Sequence, residues 1–281
     1  MLLKRIAKAH ARNILNRLSD LRPASPLKSN LQWKNKFLGK RCFILGSGMT
    51  INNHDLGLLK DEIVMTQNNF FVHPSIKQLS PKFHVVVPHY HPKSEDKKWI
   101  EWFQEMDRTL PKDCQLFAGL SSQEMIESNT SFKGRCFYVD PHYMPIALKS
   151  APIDLSKRII AVQTVLVECL AIAIYMGFES VYLVGFDLDQ MCSKNNYGRF
   201  YGLSKITDTA AERNIATQLN QDAEIWYFWW TMHLAFDLLR QEARARGVKI
   251  ANATGAGMLE TFDRVNYLDL FSKTKSTELK A

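Results

Sequence analysis

Seven short apolar runs recur between residues 42 and 252, and segments of helical spacing separate most of them. The runs cover residues 42–45, 62–65, 84–87, 115–118, 135–139, 180–184 and 248–252. Helical spacing fills residues 55–60, 97–107, 163–176 and a long stretch, 222–246. This alternation predicts an α/β fold, a Rossmann-like and mostly parallel sheet with helices on both faces. Ligands of such sheets bind beyond the carboxyl ends of the strands. The residues there are polar or glycine: Gly46-Ser47-Gly48, Gln67-Asn68-Asn69, His89-Tyr90-His91, Gly185-Phe186-Asp187, and Asn252 to Gly257 with Thr254 and Gly255 among them. Five such strand ends favour a ligand site over chance.

The first of these ends is the most specific. An apolar strand runs into Gly46-Ser47-Gly48, and the hydroxyl of Thr50 and an amphipathic, helical segment follow. Glycines let the backbone approach a ligand, and N–H groups at a helix start face anions. The turn is therefore a nucleotide or phosphate cradle, or else an ordinary strand-to-helix turn. A dinucleotide fingerprint would need a third glycine where Ile51 stands, and no Gly-Lys-Ser/Thr closes a Walker loop.

Several other constellations bear chemistry. The amides of Gln67, Asn68 and Asn69 suit base edges and ribose hydroxyls, or a plain turn. Asp187 and Asp189 suit Mg²⁺ on a diphosphate, a helix cap or a ribose hydroxyl. Residues 191–205, polar and glycine-containing, read as a loop after the site strand. There Tyr197, Arg199 and Tyr201 are placed to meet phosphate, or simply to face solvent. His233, in the aromatic run Trp226-Tyr-Phe-Trp-Trp-Thr-Met-His233, is a general base or a core histidine. His89 and His91 lack a third ligand, so no metal site is expected. Hydrolase and kinase motifs are absent.

The net charge of +8 suggests nucleic acid only until it is located. Residues 1–40 hold ten Lys/Arg and one acid, Asp20, so the remaining chain is nearly balanced. A nucleic-acid partner is therefore not expected. Residues 1–22 repeat Leu3, Ile6, Ile14, Leu18 and Leu21 between basic side chains, the pattern of an interfacial membrane helix, a solvated helix or a tail. Residues 1–30 are read as arm and Pro/Ser-rich linker, 31–272 as the folded domain and 273–281 as a tail. The apolar stretch 159–178 contains Gln163 and Glu168 and leads into a strand, so it reads as core rather than a membrane span. Five cysteines without paired spacing suggest a reducing, cytoplasmic setting.

Taken together, these blocks resemble a group of bacterial surface-glycan proteins. The residues that carry the likeness are Asn35-Lys-Phe-Leu-Gly-Lys-Arg-Cys-Phe-Ile-Leu-Gly-Ser-Gly-Met-Thr-Ile51 and Leu58-Leu-Lys-Asp-Glu-Ile63. Met176-Gly-Phe-Glu-Ser-Val-Tyr-Leu-Val-Gly-Phe-Asp187, Gly247-Val-Lys-Ile-Ala-Asn-Ala-Thr-Gly-Ala-Gly257 and Leu259-Glu260 follow in order. The group includes the sialyltransferases of mucosal pathogens, the Maf-type flagellin glycosyltransferases and the 6-hydroxymethylpterin pyrophosphokinase-like domain. It implies a Rossmann-like, GT-A-like variant fold. The implied reaction is inverting transfer of a sialic-acid-like sugar from a CMP-linked donor to a glycan or glycolipid hydroxyl, with no metal or cofactor required. Gly46, Ser47 and Gly48 match the turn near the donor phosphate, with Ser47 where the group carries Asn. Gln67 and Asn68 match an Asn-Gln pair in swapped order, Asp187 matches a strand-end Asp, and His233 is the candidate base. His89, Thr164, Gly185, Thr254 and Gly255 complete the expected donor site. The group's Thr-Ser-Gly reads Thr164-Val165-Leu166 here, and its phosphate tyrosine falls near Asp189, so Tyr197 or Tyr201 would substitute. The resemblance adds the inner-membrane surface as a location, through residues 1–22, and leaves self-association open. The alternatives are a Mg²⁺-dependent pyrophosphokinase and a non-catalytic nucleotide-sugar-binding accessory protein.

Overall fold

The computed structural model describes residues 25–87, 93–143, 153–162, 164–189, 198–201 and 222–272. Nine strands form one sheet: β1 (Arg41–Leu45), β2 (Ile63–Gln67), β3 (Phe83–Val86), β4 (Gln115–Gly119), β5 (Cys136–Tyr143), β6 (Arg158–Ala161), β7 (Ser180–Val184), β8 (Lys249–Asn252) and β9 (Asp263–Arg264). Their order is β6-β5-β4-β3-β2-β1-β7-β8-β9, and every neighbouring pair is parallel. The expected fold class is therefore present. Two strands escaped the sequence reading. β6 merges into the apolar stretch 159–178, and β9 is a two-residue edge strand with no periodicity to detect.

Both faces of the sheet are covered, which is why β1 is apolar at every position from Cys42 to Leu45. Cys42 and Ile44 face a layer built from α3 (Leu166–Tyr175) and α4 (Asp222–Ala245). Phe43 and Leu45 face the other, where α1 (Asp96–Thr109) buries Trp99, Trp102, Phe103 and Met106 on one stripe. A shorter helix, α2 (Gln123–Asn129), lies in this second layer and packs on α1. All ten residues of α3 are buried, so the apolar stretch is core, as expected. Burial pushes the Glu168 carboxyl on this helix well above its ordinary value. Among the described residues no helix is long and apolar enough to cross a membrane.

The segment after β1 differs from the helix expected there. It forms two short 3₁₀ turns, Met49–Asn53 and Leu56–Leu59. Asn52, Asn53 and Gly57 are poor helix formers, and Asp55 caps the second turn by accepting the Gly57 N–H at 2.9 Å. A further 3₁₀ helix, Pro26–Trp33, lies across the residues read as linker and domain start. Its buried Asn30 donates to the carbonyls of Tyr138 and Leu155 at 2.7 and 2.8 Å. Residues 1–22 and the tail from 273 lie outside the described residues.

Candidate functional site

From β1 the chain adds strands outward to β6, and α3 then returns it past β1 to start β7 on the other side. The direction of winding thus reverses between β1 and β7, and a crevice at such a switch point is where open parallel sheets hold ligands. Register aligns the strand ends: Leu45 sits opposite Thr66 and Val184, and Leu183 opposite Asn252. Gly46, Gln67, Gly185 and Thr254 therefore share one edge.

The glycines let chain segments cross at that edge. A Cβ on Gly46 would lie 2.4 Å from the Gly185 carbonyl oxygen, and one on Gly48 would lie 2.5 Å from the Asp187 carboxyl carbon. Gly185 adopts φ +76, and Gly257, at φ +91, packs on the Asp187 backbone. The crossing point is the Asp187 carboxylate. It accepts the Thr50 N–H at 3.1 Å and the Thr50 hydroxyl, and the Asp187 carbonyl accepts the Met258 N–H at 2.7 Å. Among the described residues no group of three or more His, Cys, Asp or Glu is arranged to hold a metal ion.

The other expected residues are placed differently from one another. Ser47, Gln67, Thr164, Gly185, Thr254 and Gly255 all lie at the carboxyl ends of strands. Their side chains do different work. Thr254 braces β7 by accepting the Phe186 N–H at 3.0 Å, and Gln67 accepts the Cys169 thiol at 3.6 Å. Thr164 is half-buried at the start of α3, with its carbonyl accepting the Val167 N–H. A Cβ on Gly255 would meet open space. Asn68 is left-handed at φ 46 and half-buried, whereas its neighbour Asn69 turns inward to accept the Trp102 indole N–H at 2.7 Å. Tyr201 is buried edge-on to Phe200. His89 and Tyr197 lie outside the described residues.

His233 lies on α4, which runs antiparallel to β8. Twelve residues separate it from the helix end at Ala245, or roughly 18 Å of helical rise, enough to bring it level with the strand carboxyl ends. Its Nδ1 is 3.3 Å from the Thr261 hydroxyl, on the loop that also carries Met258. The ring stacks on Trp229 and meets Phe236 edge-on. Burial lowers its pKa below the ordinary 6.5, with Asp237 opposing, so the ring is neutral near pH 7. Trp226 and Trp230, 66% and 47% exposed, share its helical stripe at spacings of seven and three residues.

No family model matches the chain, and no curated protein is similar to it in sequence. Among solved structures it is similar to the sialyltransferase CstII from Campylobacter jejuni, determined in complex with a substrate analogue, cytidine-5'-monophosphate. That likeness has a TM-score of 0.46 at 14% identity and covers 81% of this chain and 85% of that one.

Two site residues, Arg264 and His54, carry no sequence signal strong enough to select them. Arg264 donates to the carbonyls of Thr254, Ala256 and Gly257 at 3.1, 3.2 and 2.8 Å while paired with Glu260, and so shapes the loop that packs on Asp187. His54 places its ring nitrogens 2.8 Å from the Thr50 carbonyl oxygen and 3.2 Å from that of Ala253. Both act through backbone carbonyls, which any residue supplies. Arg199, which the sequence does place in the loop after the site strand, donates to the Ser47 hydroxyl at 2.9 Å.

Proposed function

We propose that the chain is a glycosyltransferase that moves a sialic-acid-like sugar from a CMP-activated donor to a glycan hydroxyl with inversion. The observation that carries this reading is a neutral histidine at the ligand end of a doubly wound parallel sheet, on one helical stripe with two exposed tryptophans. A neutral imidazole can take a proton, and exposed indoles offer a broad apolar face beside it. With Nδ1 engaged by Thr261, Nε2 is the nitrogen for the proton. His233 removes the acceptor hydroxyl's proton as that oxygen bonds to the anomeric carbon. The bond from that carbon to the phosphate oxygen breaks, and CMP departs with the electron pair.

The block order around Gly46-Ser47-Gly48, Asp187 and Thr254 supports the same substrate class. The basic residues 1–22 suit contact with an anionic inner-membrane surface from the cytoplasmic side, where lipid-linked glycan acceptors would be met.

A thermal-shift panel of CMP, CDP, UDP, GDP and ATP, each with and without Mg²⁺, tests the reading. CMP at a hundredfold excess over Kd should stabilise the protein by about 2.7 kcal/mol, several degrees in Tm, whether or not Mg²⁺ is present. A Mg²⁺-dependent response to ATP with none to CMP would overturn it.

A further inference from the structure

A departing nucleoside monophosphate needs donors or positive charge at its phosphate, and the glycine turn has few donors left. Its backbone is committed within the chain: Gly46 N–H to the Val184 carbonyl at 2.8 Å, Gly48 N–H to Gly185 at 2.9 Å and Ile51 N–H to Gly48 at 3.2 Å. The Thr50 N–H goes to Asp187. That carboxylate already stands at the start of the 3₁₀ turn, and a phosphate beside it would be repelled as a like charge. A phosphate at this edge therefore calls for a cation rather than a ring of amides.

A cationic side chain, Arg199, lies against the turn. The Arg199 guanidinium donates to the Ser47 hydroxyl at 2.9 Å, and the Arg199 backbone bridges Gly48. The next residue, Phe200, donates its N–H to the Ser47 carbonyl at 3.0 Å and packs its ring against Phe70 and His73. Arg199 is thus fixed from both sides by contacts that involve no ligand. Guanidinium is the side chain best matched to phosphate, since its fork of N–H groups meets two oxygens at once.

We infer that Arg199, oriented by Ser47, binds the phosphate of the donor nucleotide in place of the glycine-turn amides. The inference rests on the CMP-donor reading and deepens it. It also accounts for Ser47, whose hydroxyl accepts from the guanidinium and sets where the fork lies.

Calorimetric titration with CMP and with cytidine, against wild type, Arg199→Gln, Arg199→Lys and Ser47→Ala, tests it. Wild type should bind CMP more tightly than cytidine. Arg199→Gln should weaken CMP binding between about tenfold and a hundredfold while leaving cytidine affinity unchanged. Arg199→Lys, which keeps the charge, should recover part of the loss and also serves if the glutamine variant folds poorly. Ser47→Ala should cost CMP severalfold and cytidine nothing. Unchanged CMP affinity in both Arg199 variants, or equal losses for CMP and cytidine, would overturn the inference alone. Wild type that binds neither compound would overturn the donor reading and this inference with it.

Discussion

Replacing His84 with asparagine should flatten the acid limb of the protein's stability. His84 is fully buried on β3, 2.8 Å by Nδ1 from the Thr66 hydroxyl and edge-on to Phe71. Thr66 directly precedes Gln67, so this ring lies under the second polar strand end. Desolvation pushes its pKa down to about 3, against a contact with the Asn68 backbone that acts the other way. The unfolded chain, with an ordinary value of 6.5, takes up this proton first as pH falls. The stability tied to a neutral His84 is therefore complete above pH 6.5 and is lost progressively down toward pH 3. Integrating the linkage relation over that window gives a loss of about 2 kcal/mol between pH 7 and pH 5, and about 3 kcal/mol by pH 4. Urea unfolding followed by tryptophan fluorescence at pH 7 and pH 5 reads this out. The asparagine variant starts less stable because its cavity is imperfectly filled, so the comparison is of slopes. Wild type should lose about 2 kcal/mol more than the variant over the interval. Equal losses would show that His84 does not carry a depressed pKa, and the burial argument would fail.

Gly257→Ala should destabilise by roughly 2–5 kcal/mol, because it combines a left-handed backbone with a Cβ placed 2.2 Å from the Asp187 carbonyl oxygen. Gly255→Ala, two residues away in open space, should shift the same unfolding midpoint by no more than about 0.5 kcal/mol, and matching effects would refute the crossing geometry. His233→Ala should lower kcat by roughly 10²–10⁴ while CMP affinity holds, and the wild-type rate should fall on the acid side only below pH 6.5, since burial lowers this pKa. Turnover that survives the substitution would remove His233 as the base.

Much of the sheet was legible in the residues. β1 announces itself because a strand buried on both faces is apolar, here from Cys42 to Leu45, β7 because its run from Val181 to Val184 is bounded by polar and glycine residues, and α1 because its tryptophans repeat at helical spacing. Polar strand ends were legible for the same reason: a run of apolar residues stops where the sheet meets solvent or a ligand. The 3₁₀ turns after β1 were not, since short apolar spacing does not tell a single turn from a helix. β6 was hidden by continuity with α3, both being wholly apolar.

Within the site, the sequence alone singled out Gly46-Ser47-Gly48, Gln67, Asp187 and Thr254 by residue type and by position after strands, Arg199 by its place in the loop after the site strand, and His233 by its aromatic surroundings on a long helix. It could not say what each would touch. Asp187 meets Thr50 across 137 residues, and Arg199 meets Ser47 across 152. Periodicity reports only which face of an element is buried, a local property of neighbouring side chains. Which segments cross at the end of β1, and so whether the turn there offers amides or a guanidinium to a phosphate, follows from strand order. That order is settled by the packing of the whole sheet, and only the tertiary structure contains it.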